Sequence, residues 1–144
     1  MAHTYTSCLI HAVFSTKRRQ PILSRTTRER LTEFLQTTAA KNGFRVLAAG
    51  GWHDHMHVLI KVPSIVSIAR AIHLLKRRAA TFLGKSFAWQ DGFLAVTVAP
   101  TGLDEALAYI ARQETTHAEK TYEEETISFL KKNHIRYDLR YVFD

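Results

Sequence analysis

The stretch Gly50-Gly51-Trp52-His53-Asp54-His55-Met56-His57-Val58-Leu59-Ile60 constrains the fold more than any other in the chain. It sets three histidines into five positions and runs directly into an apolar segment that Pro63 closes. Alternate residues of a strand share one face. A strand here turns His53, His55 and His57 one way, and Asp54, Met56 and Val58 the other. Same-face neighbours on one strand lie roughly 6.5–7 Å apart at their Cα atoms, close enough for two imidazoles to lean onto one metal ion. A histidine–hydrophobe–histidine triplet is then a two-ligand platform that needs a third ligand from elsewhere. The plainer alternative is a histidine-rich strand edge, or histidines capping a core.

The rest of the chain supplies the elements around that strand. Tyr5 to Ser15 is rich in β-branched and aromatic residues and reads as a central strand with His11 inside it. Lys17-Arg18-Arg19-Gln20-Pro21 ends it as a basic loop. Ser24 or Thr26 caps a helix to about Lys41, with Leu31, Phe34 and Leu35 on its apolar stripe and Asn42-Gly43 as its stop. Phe44 to Ala49 is a second strand. Gly50-Gly51 bends or bulges before the third strand, His55 to Val62, so the two form a hairpin. Ser64 caps a long helix to about Leu83, with Ile65, Ile68, Ala69, Ile72, Leu75, Ala79 and Phe82 as its core stripe. After the turn Trp89-Gln90-Asp91-Gly92 comes a fourth strand, Phe93 to Val98. Thr101, with Asp104 three residues later, starts a helix to about Glu119. Thr121 caps a last helix, Glu123 to Lys132, whose Glu123-Glu124-Glu125 run is expected to face solvent. Ile135 to Asp144 alternates loosely, as a strand or an extended arm.

Strand, helix, strand, strand, helix, strand is the order of the α+β, ferredoxin-like split βαβ fold (βαββαβ). Its central strands come from the first and third β segments, which sets the histidine strand beside the one carrying His11. The additional C-terminal helix can then lie across the open face of the sheet and meet the histidines. With no repeat, linker or low-complexity tract, residues 1–144 are expected to form one domain.

Composition narrows the function classes. The single cysteine, Cys8, permits no internal disulfide and no cysteine-based zinc cluster, and its apolar surroundings predict a buried thiol in a reducing cytoplasm. No apolar run reaches the roughly 18 residues that span a bilayer, and basic and polar residues interrupt the first apolar run where a signal peptide would lie. A net charge of +7 and a pI near 9.8 favour a polyanionic partner.

The third ligand has a candidate on the C-terminal helix. Tyr109 and Gln113 are four residues apart and share a helix face, which His117 continues. Gln113 can complete the histidine pair, with Tyr109 beside it. Alternatively these are ordinary surface and packing residues.

These residues together resemble a known family. His55-Met56-His57 resembles the histidine–hydrophobe–histidine (HUH) motif, and Tyr109-x-x-x-Gln113 resembles the motif of the single-tyrosine, TnpA-type transposases of the smallest bacterial insertion sequences. Ile10 to Arg19 is similar to their opening strand and basic turn, Asp54 to Ile60 to their metal strand, and Trp89 to Phe93 to the turn before their last core strand. His53 departs from the pattern, since a non-ligand is expected there.

The resemblance implies a single-stranded DNA transposase that recognises DNA hairpins at element ends. It implies Tyr109 as nucleophile, forming a 5′-phosphotyrosine and a free 3′-OH, and a divalent metal ion, Mg2+ or Mn2+, on His55, His57 and Gln113 that polarises the scissile phosphate. It also implies a homodimer in which the tyrosine helix of one subunit completes the other's site. DNA contact is expected from two basic clusters, Lys17, Arg18 and Arg19, and Arg70, Lys76, Arg77, Arg78 and Lys85. Trp52, Trp89 and Phe87 are candidates for stacking on unpaired bases, or for the core. The competing readings are a domesticated nuclease that cuts repeated hairpins, a non-catalytic ferredoxin-like nucleic-acid binder, and an unrelated metal-dependent hydrolase that would not need Tyr109.

Overall fold

The computed structural model describes residues 3–143. Its elements are β1 (Leu9–Ser15), α1 (Arg25–Lys41), β2 (Arg45–Trp52), β3 (His55–Lys61), α2 (Ile68–Leu83), β4 (Leu94–Val98), α3 (Leu103–Ala111), α4 (Gln113–Glu119) and α5 (Tyr122–Lys132). The four strands form one sheet in the order β2-β3-β1-β4. Every neighbouring pair is antiparallel. This is the ferredoxin-like βαββαβ arrangement expected from the order of apolar segments, with α3, α4 and α5 added after it.

β1 is buried along its whole length, because both faces of the sheet are covered. Ile10, Ala12 and Phe14 point into the main core with Met56, Val58 and Ile60 of β3 and with α1 and α2. Fully buried Leu31 and Leu35 of α1, and Ile72 and Leu75 of α2, close that layer. Each such side chain contributes about 1.5–3 kcal/mol through burial. Leu9, His11, Val13 and Ser15 point the other way. In register with them, His11 lies opposite Leu59 and Val96, Val13 opposite His57, and Ser15 opposite His55. The C-terminal helices pack on this second face. The molecule is thus a helix pair, a sheet and a helical cover, with the histidines between the last two.

Several local expectations are realised with shifts. Ser24 caps α1 and Thr121 caps α5, each side chain accepting from the backbone N–H three residues on. The long helix starts later than predicted: Ser67, not Ser64, is its cap. Ile65 therefore lies in the loop at 90% exposure, and Ile68 and Phe82 are each a little over a third exposed, leaving Ala71, Ile72, Leu75 and Ala79 as the buried stripe. Phe82 still stacks on Phe34, with ring centroids 4.3 Å apart. Cys8 precedes the first strand and is exposed, not buried. Thr101 makes no capping bond. It belongs to a 3-10 turn, Pro100–Gly102, and Gly102 precedes α3. Of the tail, residues 135–138 have no regular structure and 139–143 form turns, so no strand forms there, and Asp144 lies outside the described residues. Among the described residues no helix is long and apolar enough to cross a membrane.

The irregularity in β2 falls between Val46 and Ala48, not at the glycines. Gly50 and Gly51 pair regularly with His57 and Met56, and their smallness serves close approach instead. A Cβ on Gly50 would lie 2.7 Å from the Ile110 carbonyl oxygen, and one on Gly51 would lie 2.1 Å from the His55 carbonyl oxygen. Gly50 is therefore where the tyrosine-bearing α3 rests on the sheet. Gly50→Ala is expected to lift the end of α3 and lower stability by about 1–3 kcal/mol, measured by denaturant unfolding.

Candidate active site

His55 and His57 stand at the start of β3, both buried, facing the C-terminal helices. His53 is not their third member. The hairpin turns at His53-Asp54, so the side-chain alternation begins only at His55, and His53 stacks flat on Trp52, with centroids 4.2 Å apart. The turn serves the site through Asp54, whose Oδ1 lies 2.8 Å from His55 Nδ1. On the other imidazole, Nδ1 of His57 lies 2.8 Å from Nε2 of His11 on β1. With each Nδ1 engaged, each Nε2 is left toward the helical cover, which is how outer hydrogen bonds commonly orient metal-binding imidazoles.

α3 and α4 bring the second group. The predicted continuous helix breaks at Arg112, whose φ of −102° and ψ of 29° are not helical. Tyr109 and Gln113 nonetheless remain neighbours, and Gln113 Nε2 donates to the Tyr109 carbonyl over 3.3 Å. Gln113 is buried. Its Oε1 lies 3.4 Å from His55 Nε2 and 3.1 Å from His117 Nε2. An anchor with no counterpart in the sequence reading fixes this segment. Glu114 binds the guanidinium of Arg25 and that of Arg28, and the buried Arg28 also donates to the Leu23 carbonyl at 2.7 Å.

Glu125 of α5 is the principal correction. Expected to face solvent with Glu123 and Glu124, it is buried at 4% exposure in the middle of the site. Its Oε1 lies 3.3 Å from His55 Nε2, 3.2 Å from His57 Nε2 and 3.2 Å from His117 Nε2. Its Oε2 accepts the hydroxyl hydrogen of Tyr109. The sequence did carry a signal for this: Glu125 falls in helical phase with Tyr122, Phe129 and Leu130, on the face turned inward. The expected strand order sets His11 beside the histidine strand; what it leaves open is the register, in which Val13 lies opposite His57 and His11 reaches His57 on the diagonal.

The charges follow from these contacts. Burial opposes ionisation of Glu125, but the hydrogen bonds from His117, His55 and His57 outweigh it and hold the carboxyl far below its usual range. Burial also opposes charge on His55, yet the bonds to Asp54 and Glu125 raise its pKa. His57 is lowered to about 4, chiefly by burial, and His11 to about 3 by burial and the adjacent His57. Burial and the bond to Glu125 push the Tyr109 hydroxyl up, so it is neutral at rest. The centre therefore pairs an ionised carboxylate with one imidazole prone to charge, His55, and two held neutral, His57 and His11.

One ligand atom from each of His55, His57 and Glu125 lies within 4.8 Å of the others. Two imidazole nitrogens and a buried carboxylate oxygen form a donor set that suits a divalent transition ion and tolerates magnesium. Gln113 stands beside them as a further oxygen.

The basic clusters lie on different sides. Lys17, Arg18 and Arg19 follow the end of β1, where Thr16 N–H donates to the Asp54 carbonyl, and so sit at the rim of the histidine site. Arg18 and Arg19 have φ of 56° and 52°, a costly backbone for such residues. Arg19 pairs with Glu123 over 2.5 Å. Arg70, Arg77 and Arg78 are exposed on α2 and Lys85 just beyond it, in the helix layer opposite the histidines. Lys76 donates to the Gln90 and Gly92 carbonyls at 2.8 and 2.6 Å and so holds the turn before β4. Trp89 is buried in the core and Phe87 packs against it, whereas Trp52 is half-buried beside Arg28.

Residues 4–113 match the family described as Transposase IS200 like. The transposases for insertion sequence element IS200 of Salmonella typhimurium and Salmonella typhi are each 28% identical over 87 residues, covering 60% of this chain and 57% of theirs. The match thus spans a little over half the length of those relatives. Two solved structures share the fold. One is a candidate transposase from Deinococcus radiodurans, 19% identical with a TM-score of 0.62, covering 78% of this chain and 95% of that one. The other is a REP-associated tyrosine transposase bound to a REP hairpin, 16% identical with a TM-score of 0.61, covering 81% and 73%. At these identities the likeness is one of fold.

Proposed function

The chain belongs to the IS200-like transposase family, and on that premise we propose that it cleaves and rejoins single-stranded DNA at hairpin-bearing element ends, with Tyr109 as nucleophile. The observation that carries this reading is the convergence of Tyr109 with His55, His57 and Glu125 at one point on the sheet.

The Tyr109 oxygen attacks the scissile phosphorus, and the bond from phosphorus to the 3′-oxygen breaks. Glu125 Oε2 already holds the hydroxyl hydrogen, which orients an oxygen lone pair for attack; because its imidazole neighbours hold this carboxylate far below its usual range, it takes the proton only as the forming O–P bond makes the phenol oxygen acidic. That proton is then available to the departing 3′-oxygen. The products are a 5′-phosphotyrosine and a free 3′-OH. The linkage remains a phosphodiester, so a second 3′-OH can reverse the step without ATP. A divalent metal ion, Mg2+ or Mn2+, held by His55, His57 and Glu125 with Gln113 alongside, would supply Lewis-acid polarisation of the scissile phosphate. His11 and Asp54 position the two imidazoles for that role. His11→Ala is expected to weaken Mn2+ binding about 10–100-fold by titration calorimetry, with His11→Gln restoring part of the loss.

Lys17, Arg18, Arg19, Arg70, Arg77, Arg78 and Lys85 are proposed phosphate contacts; Lys76, occupied by the Gln90 and Gly92 carbonyls, is the least available of the set. The REP hairpin bound by one relative of this fold supports hairpin DNA as the partner. Tyr109 meets Glu125 within one chain, and the reading taken forward is a site complete in one subunit, with a homodimer sharing a composite site as the alternative. Mixing Tyr109→Phe with His57→Ala protein is then expected to leave DNA uncleaved; recovery of cleavage in the mixture would establish the composite site. The reading as a whole is tested by incubating the chain with labelled hairpin oligonucleotides and Mn2+ or Mg2+ on a denaturing gel. A covalent protein–DNA band is expected. Binding without cleavage would favour a nucleic-acid-binding module, and cleavage without the band a hydrolase.

A further inference from the structure

A cavity of about 400 Å³ opens beside Tyr109, between edge strand β4, α3 and α5. The chemistry at Tyr109 makes no use of it. Its walls are largely apolar, from Val96 and Val98 of β4, Ala106 of α3 and the half-buried Phe129 of α5. His11, Tyr109 and Glu125 of the site also line it, with the Phe129 ring set edge-on to His11 at 5.0 Å. Arg112, Lys120 and Lys132, all exposed, contribute the cations of the lining, and Thr97, Ser128 and Asn133 its neutral polar groups.

This composition selects a ligand. Roughly 300–1,000 Å³ with apolar walls and a few polar groups is the usual size and character of a small-ligand site. Glu105 and Glu125 in the lining oppose a phosphate beside them, whereas Arg112, Lys120 and Lys132, which line it and are exposed to solvent, suit the phosphates that flank a bound base. A flat, uncharged ring flanked by phosphates is a nucleobase of a single strand. Tyr109 itself lines the cavity, so a base one sugar away from a phosphorus attacked by Tyr109 is within its reach.

We propose that this cavity takes up one unstacked base of the cleaved strand, the base adjoining the scissile phosphate, and so selects the nucleotide at the cleavage point. The proposal rests on the reading of Tyr109 as a nucleophile toward DNA. The base is gripped by apolar contact with Val96, Val98 and Ala106 and by stacking against the aromatic group at Phe129.

Two measurements separate this proposal from that reading. In the first, the isotope-labelled metal-free chain is titrated with deoxynucleoside 5′-monophosphates, with deoxyribose 5-phosphate as the baseless control. Base-dependent, saturable shifts are expected at Val96, Ala106 and Phe129. They should be lost in Ala106→Trp, whose spectrum also reports its folding, and in Val98→Phe, which fills the cavity from the strand side. Equal shifts with the baseless control would overturn the proposal. In the second, an abasic residue next to the scissile phosphate is expected to slow covalent attachment about 10–100-fold. Attachment at an unchanged rate would overturn the base pocket while upholding Tyr109. No attachment on any strand, with base-dependent shifts intact, would overturn the nucleophile and leave the pocket established.

Discussion

Tyr109→Phe is expected to reduce covalent attachment to DNA by on the order of 10⁴-fold or more, with hairpin binding unchanged. The substitution removes one oxygen and keeps the ring, which lies 5.9 Å from His11 and 5.6 Å from His57 between ring centroids. Packing on the sheet is therefore preserved, and the loss falls on chemistry alone. Glu125 also loses its contact with the hydroxyl but keeps its imidazole neighbours, so no unpaired buried charge results. Single-turnover cleavage followed on a denaturing gel, beside a binding isotherm for the same hairpin, separates the two quantities. A hydrolase using these histidines without the tyrosine would retain most of its activity.

Glu125→Gln is expected to weaken Mn2+ binding by more than the roughly 10–100-fold that loss of an outer hydrogen-bond partner costs, measured by titration calorimetry. The exchange keeps size and shape and removes the charge. Glu125 is the only carboxylate that contacts His55, His57 and His117 together among the described residues, and a neutral amide neither balances a divalent ion nor accepts from several imidazoles at once. The same variant should slow attack by Tyr109, because the amide is a poor acceptor for the hydroxyl hydrogen. If Glu125 only fills space, Gln should serve as well as Glu in both assays.

The fold was legible where short-range rules dominate. Pro63, Asn42-Gly43 and the caps at Ser24 and Thr121 punctuate segments whose apolar residues repeat with strand or helix period, and the βαββαβ order follows. His55, His57 and the Tyr109–Gln113 pair were legible because strand alternation and helical spacing act within a few residues. Ser64 and Ser67 are equivalent as local cap signals, and only the packing of Ala71 and Ile72 decides between them. Glu125 was misread because a run of acidic residues ordinarily faces water, and only the tertiary placement of α5 supplies the imidazoles that make its burial tolerable. His11 and Arg28 share that reason: their partners, His57 and Glu114, are 46 and 86 residues away. Gly50 belongs with them, since its need to be small arises from the Ile110 carbonyl on another layer.

The most direct test of the central claim is to identify the residue that becomes joined to DNA. The tryptic peptide from Ser86 to Arg112 contains Tyr109 as its sole tyrosine. After reaction with a hairpin oligonucleotide and Mn2+, nuclease trimming and mass spectrometry, that peptide is expected to carry a 5′-linked nucleotide on Tyr109. A nucleotide on any other residue, or cleaved DNA with every peptide unmodified, would contradict the account.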